Sequence, residues 1–191
     1  YKYRVVFRGH RVKDQNWEAA VFQDLRISPA TMEGSKAADC YGCFDGHDTQ
    51  IADADQAYVQ ATLKGPETWI GLPSNQVPNR FKHMKRPVFR MVKALYGHPD
   101  SGTYWEEHCD KHLCEQGFVK CPNWWSCYYH PTNRTFLIVY VDDFFASGPP
   151  EGLVRTWKLA KGPSTYCPVG LNLGPCEPID RYLGCHHRSL Y

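Results

Sequence analysis

A chain of 191 residues, 42% of them hydrophobic, can bury one sizeable core and has room for one or two subdomains. A formal net charge of +2 excludes a polybasic tail of the kind that announces many nucleic-acid binders, although a basic patch on one face stays compatible with it. No signal-peptide pattern and no apolar run of membrane-spanning length is visible, so no membrane partner is expected. The nine cysteines are odd in number and irregularly spaced, which argues against a complete disulfide framework and fits a reducing intracellular setting. Small buried apolar residues are the simplest reading of them. The chain opens at Tyr1 and closes on Leu190-Tyr191, and it reads as a piece of a longer polypeptide.

In chain order, Tyr3 to Arg8 alternates enough to predict a strand stopped by Gly9, decorated by Lys2, Arg4, Arg8 and Arg11. Those cations either keep an edge strand soluble or face an anionic ligand such as a triphosphate. Ser28-Pro29 breaks the chain, and Ser35 to Cys43 predicts a short helix with Ser35 as N-cap. Cys40, Cys43 and His47 look like half a zinc site, but no second pair follows at the needed spacing. Gln50 to Gln60 reads as a strand ending near Asp53, a turn, and a helical start, which puts a carboxylate at a strand end facing a cleft. Thr68 to Pro73 and Pro87 to Val92 predict two more strands around a polar loop.

Ser101 to Gln116 is the clearest helix, with Tyr104, Trp105, His108, His112 and Leu113 at helical spacing and Gly117 placed to end it. His108 and His112 stand four apart but lack the acid of a zincin motif, so packing is the better reading for both. Ser126 to Tyr129 predicts a strand that hairpins through Pro131-Thr132-Asn133 onto Phe136 to Tyr140. Glu151 to Lys161 predicts a helix, and Arg181 to Cys185 a last short strand.

The most informative stretch runs from Thr135 to Ala146, an apolar run interrupted by Asp142 and Asp143. It predicts two buried strands joined by a two-residue turn that carries both carboxylates. Adjacent ionised carboxylates between buried strands repel and lose hydration, so they need compensation, which divalent cations supply well. A solvated Asp-Asp turn is the plain alternative. The mix of hairpins and helices predicts an α+β fold, an antiparallel sheet with helices on one face. If Asp53 and the Asp142-Asp143 pair met on adjacent strands, three carboxylates would suit magnesium and phosphoryl transfer.

Tyr140-Val141-Asp142-Asp143 resembles the catalytic box of reverse transcriptases, and its surroundings resemble copia-like retrotransposon polymerases in particular. Lys2 to Gly9 is similar to that family's first strand, and Ser28-Pro29 to its Ser-Pro element. Asp53-Ala54-Asp55-Gln56-Ala57-Tyr58 matches its Asp-X-X-X-Ala-aromatic box, and Glu67 to Pro73 its acidic-aromatic strand. Lys93-Ala94-Leu95-Tyr96-Gly97 is intact, Trp105 follows eight residues after the glycine, and Tyr182-Leu183-Gly184 closes the series. These six elements, together with the Asp-Asp box and in the right order, cover nearly the whole chain.

The resemblance implies a reverse-transcriptase palm with part of the fingers. Residues 1–50 and 60–90 would be fingers-like, 51–59 and 91–191 palm-like, with thumb and RNase H absent from this piece. Asp53, Asp142 and Asp143 would be the catalytic aspartates, holding two Mg2+ ions (Mn2+ can substitute) with help from the Ala54 carbonyl. Tyr58 would be the steric gate against a 2′-hydroxyl, and Lys2, Arg8 and Tyr140 would line the nucleotide. Implied partners are a primed RNA or DNA template, deoxynucleotides, and the integrase and RNase H parts of a polyprotein, in a cytoplasmic particle or the nucleus.

One departure stands out. After Gly97 the family has Leu-Lys-Gln-Ala-Pro-Arg, whereas this chain has His98-Pro99-Asp100-Ser101-Gly102-Thr103. A carboxylate at Asp100 would repel a polyanionic substrate unless it faces away. A decayed copy, or a non-catalytic nucleic-acid-binding derivative, is therefore the alternative. An unrelated two-metal nuclease or phosphatase would share the carboxylates but not the ordered boxes.

Overall fold

The computed structural model describes residues 6–14, 16–20 and 30–188. Among them, strands are β1 (Asp48–Asp53), β2 (Trp69–Gly71), β3 (Val88–Arg90), β4 (Val119–Lys120), β5 (Cys127–His130), β6 (Thr135–Tyr140), β7 (Asp143–Gly148), β8 (Glu177–Pro178), β9 (Arg181–Tyr182) and β10 (Cys185–His186). Helices are α1 (Met32–Gly42), α2 (Ala57–Gln60), α3 (Ser101–Glu115) and α4 (Pro150–Lys161). The fold is α+β around a six-stranded antiparallel sheet in the order β4-β5-β6-β7-β1-β8.

The continuous apolar run of β6 and β7 has a direct physical reason, since both faces of those strands are covered. On one face Leu137, Val139, Phe144 and Ala146 pack with Trp105 and Leu113 of α3 and Leu153 and Trp157 of α4. On the other, Ile138, Phe145 and Cys127 pack with Ala38 of α1 and with Tyr182. The expectation of helices on one face is therefore corrected: α1 covers the opposite side. It can approach closely because Gly34, Ala38 and Gly42 form a small-residue stripe. A Cβ at Gly34 would stand 2.8 Å from the Cys127 sulfur, and one at Gly42 would stand 2.2 Å from the Thr49 methyl. Helix α1 falls in the stretch expected to be fingers-like, yet it packs on the central sheet.

Three boundaries also move. Helix α1 starts at Met32 because the Thr31 hydroxyl accepts from the Gly34 amide at 3.2 Å, so Thr31, not Ser35, is the cap. The final strand is a hairpin of β9 and β10, since Leu183 and Gly184 both take positive φ and turn the chain back. The expected first strand lies partly outside the described residues; Val6 to Arg8 is not a strand, and the Phe7 amide donates to the Tyr96 carbonyl at 2.6 Å. Lys2, Arg4, Ser28-Pro29 and Leu190-Tyr191 lie outside the described residues.

Strands β2 and β3 form a separate two-stranded sheet, with Arg90 bonded to Glu67 at 3.0 Å. Helix α3 ends at Glu115, and Gly117, just past its cap Gln116, turns the chain away with φ +91° as the sequence predicts. His112 is fully buried, with one ring nitrogen on the Ala160 carbonyl (2.8 Å) and the other on the Ser164 hydroxyl (2.9 Å). It is a satisfied core histidine that ties α3 to the end of α4. All nine cysteines are free, and no helix among the described residues is long and apolar enough to cross a membrane.

Candidate functional site

The β1–β7 register sets Asp53 directly opposite Asp143. Directly opposed residues on antiparallel strands point to the same face, so the two carboxylates share one side of the sheet, at its end. On the other flank of Asp143, Tyr140 is its partner across β6. That pairing leaves Val141-Asp142 as the two-residue turn. The expected turn thus shifts by one residue: Asp143 belongs to the ladder and only Asp142 to the loop.

Val141 carries the strain of this turn, with φ +57°, a position where glycine is usual and a β-branched residue is rare. Such geometry persists only when its surroundings impose it. Trp105 of α3, 2% exposed, supplies part of that by donating its indole N–H to the Val141 carbonyl. The Ala54 amide supplies more, donating to the Asp142 carbonyl at 2.7 Å. Trp105 was legible as a core residue at helical spacing, but its hold on the turn was not.

The other side of β1 is fixed by residues 171–174. The Gly174 amide donates to the Asp53 carbonyl at 2.8 Å, and the Asp55 amide donates to the Asn172 carbonyl at 3.0 Å. Gln60 clamps this junction, its amide nitrogen on the Asp55 and Asn172 carbonyls and its oxygen on the Asn172 amide. Asp55 is exposed and its side chain does not cap α2, whose cap residue is Gln56.

The electrostatics are those of crowded anions. Burial, and then the charges of Asp142 and Asp53, hold the Asp143 carboxyl above its ordinary range. Hard oxygen donors in mutual repulsion suit a divalent cation such as Mg2+. As placed, however, no group of three or more His, Cys, Asp or Glu side chains among the described residues is gathered closely enough to hold a metal. The donor chemistry and strand register fit such an ion.

The remaining site residues divide. The Tyr58 ring lies 4.3 Å from that of Tyr96 and packs with the layer of α3 and α4. Arg8 is exposed, on a segment pressed against the Tyr96-Gly97 loop: a Cβ on Gly97 would stand 2.1 Å from the Phe7 carbonyl oxygen, and one on Gly9 just as close to that of Gly97. Arg8, Tyr96 and Tyr58 therefore follow one another in space. Tyr140 is half-buried at the end of β6. Lys2 lies outside the described residues.

Asp100 is 8% exposed at the start of α3, beside the buried His98, whose Nδ1 accepts from the Asp100 amide at 3.2 Å. Ser101 locks the loop by bonding both the amide (3.0 Å) and the carbonyl (2.8 Å) of Leu95. The His98-Pro99-Asp100 departure thus folds inward as the start of a helix. One further residue was legible only as part of a motif: Tyr182, 5% exposed, lies beside Phe145 (ring centroids 5.0 Å apart), where the charge of Asp143 reaches its hydroxyl. The chain matches no family model, no curated protein and no solved structure.

Proposed function

We propose that this chain is an RNA-directed DNA polymerase domain of copia-like retrotransposon type, joining deoxynucleotides to a primer 3′-hydroxyl on an RNA or DNA template. The observation that carries the reading is the pairing of Asp53 with Asp143 on adjacent strands, with Asp142 in the turn between Asp143 and Tyr140. Asp53, Asp142, Asp143 and the Ala54 carbonyl would hold the divalent ions. When bound, two Mg2+ ions lower the pKa of the attacking hydroxyl and stabilise the leaving oxygen. The chain's own contribution is positioning: Trp105 and Ala54 fix the turn, and Gly174 fixes Asp53, so the carboxylates start on rigid elements. Arg8 supplies a cation for the triphosphate, and Tyr58, backed by Tyr96, supplies a flat wall for the sugar. Integrase and RNase H segments of a polyprotein, and a cytoplasmic particle or nuclear setting, go with this reading.

A non-catalytic derivative is the second reading, favoured by the His98-Pro99-Asp100 departure from the family's loop. Single-nucleotide incorporation on a primed RNA template separates the two. The polymerase reading expects Mg2+- or Mn2+-dependent incorporation that Asp53→Asn and Asp143→Asn each lower by roughly 10²–10³-fold or more. Salt-sensitive hybrid binding without incorporation would favour the derivative. Hydrolysis of a phosphodiester with no primer would mean a nuclease instead.

A further inference from the structure

Between α3, the end of α4 and the 167–173 loop lies an open cavity of about 520 Å³, a size in the range of small-molecule sites. Its lining includes two ammonium groups, Lys93 and Lys161, and no carboxylate among the described residues. Each lysine donates one bond to a main-chain carbonyl, Lys93 to Gln60 and Lys161 to Gly174, both at 2.7 Å. An ammonium has three donors, so each keeps two after that anchoring bond. Neither lysine is in an ion pair among the described residues.

Among the described residues the floor carries no negative charge either. His108 lies there with its Nε2 3.5 Å from the Cys167 sulfur, whose thiol is turned to the Gly170 carbonyl at 3.1 Å. Burial, and next the charge of Lys93, lower the His108 pKa to about 4, so the imidazole is neutral at neutral pH. Burial pushes the Cys167 thiol up, which makes it a poor nucleophile. A reactive Cys-His pair is therefore not what this floor offers. What it offers is a neutral, polar base beneath two fixed cations.

We infer that this cavity is a phosphate-binding site for a small phosphorylated ligand, with Lys93 and Lys161 as the anion's partners. Two cations held by main-chain carbonyls are preorganised, so little is lost in ordering them on binding. The site is separate from the carboxylates but shares a wall with them. Leu173 lines the cavity and bridges Ala54, and the next residue, Gly174, bonds both Lys161 and Asp53. The inference stands whether or not the chain polymerises DNA.

The test uses the whole chain, with AMP as a phosphomonoester probe and a dinucleoside monophosphate lacking terminal phosphate as a diester probe. Thermal shift and calorimetry are run on the parent, on Lys93→Gln/Lys161→Gln, and on Lys158→Gln, an exposed lysine of the same helix. Saturating AMP at about 100 times its Kd is expected to raise Tm by several degrees in the parent and the Lys158 control. The double variant should lose at least tenfold in affinity. Tighter binding of the diester would keep the site but assign it to a nucleic-acid backbone phosphate. Should the double variant unfold, lysine acetylation of the parent decides: AMP must protect Lys93 and Lys161 and leave Lys158 reactive. No binding of either probe, equal binding by a folded double variant, or unchanged acetylation of both lysines would overturn the inference.

Discussion

The two faces of the central sheet are built to different standards. Toward α3 and α4, large side chains interlock: Trp105, Leu113, Leu153 and Trp157 close over Leu137, Phe144 and Ala146. Toward α1 the cover is thinner, a helix of small residues with Tyr182 and a few aromatics around Ile138 and Phe145. Asp53 and Asp143 point to the thin side, at the end of the sheet. The comparison shows a division of labour: one face supplies the rigidity, and the other leaves a place where charges can meet water or a ligand. It also explains how a repelling pair is tolerated, because the turn that presents it is anchored from the heavy side by Trp105.

Truncation tests that division most directly. Phe144 and Phe145 are adjacent, both fully buried, and face opposite sides. Phe144→Ala is expected to cost about 3–5 kcal/mol, because the α3–α4 layer cannot collapse into the cavity. Phe145→Ala should cost about 1 kcal/mol less, since the thinner cover can relax. Urea unfolding measures both; equal costs would remove the contrast. Trp105→Phe comes next. It keeps most of the ring packing but leaves the Val141 carbonyl without its indole partner, for about 1–3 kcal/mol. If the proposed polymerase activity depends on the anchored turn, incorporation falls more steeply than stability, and a loss confined to stability would reduce Trp105 to a core residue.

Much of this was legible in the sequence, and the parts that were not share a cause. Strands β1, β5, β6 and β7 and helix α3 follow from period and turn residues, whereas the placing of Asp53 beside Asp143 was only a condition in the sequence and comes from the β1–β7 register. The side taken by α1 did not, although Gly34, Ala38 and Gly42 at spacing four were a signal for close packing on a sheet. The one-residue shift of the turn was hidden because Val141 is a poor residue for positive φ, and only the tertiary hold of Trp105 imposes it. The inward fold of Asp100 depended on Ser101 bonding Leu95, a local lock that residue types alone do not announce. Lys93 was visible inside its motif, but its meeting with Lys161 across the cavity required the fold.

The heavy face also carries a pH dependence. His108 is neutral in the folded chain, with a pKa lowered to about 4, against about 6.5 in an unfolded one. Between those values the unfolded state binds the extra proton, so stability falls as pH drops from about 6.5 toward 4. Melting curves across that window should show the decline, and His108→Gln should flatten it. An unchanged slope in the variant would assign the loss to other groups.

The smallest expected effect lies on the thin face and has the opposite sign. The Tyr182 hydroxyl is buried with no hydrogen-bond partner among the described residues, while its ring packs on Phe145. Leaving a hydroxyl dry and unbonded costs on the order of 1 kcal/mol or more, and Tyr182→Phe removes that cost while keeping the ring. The variant should therefore be more stable by about 1 kcal/mol in urea unfolding. A decrease would mean that the hydroxyl finds a partner in solution. Asp143 is the nearest candidate in charge terms, since its carboxylate already acts on the Tyr182 hydroxyl. The thin face would then owe its order partly to a polar link at the carboxylates, and Tyr182→Phe should also change the affinity for the divalent ion proposed there, which calorimetry with Mn2+ can read.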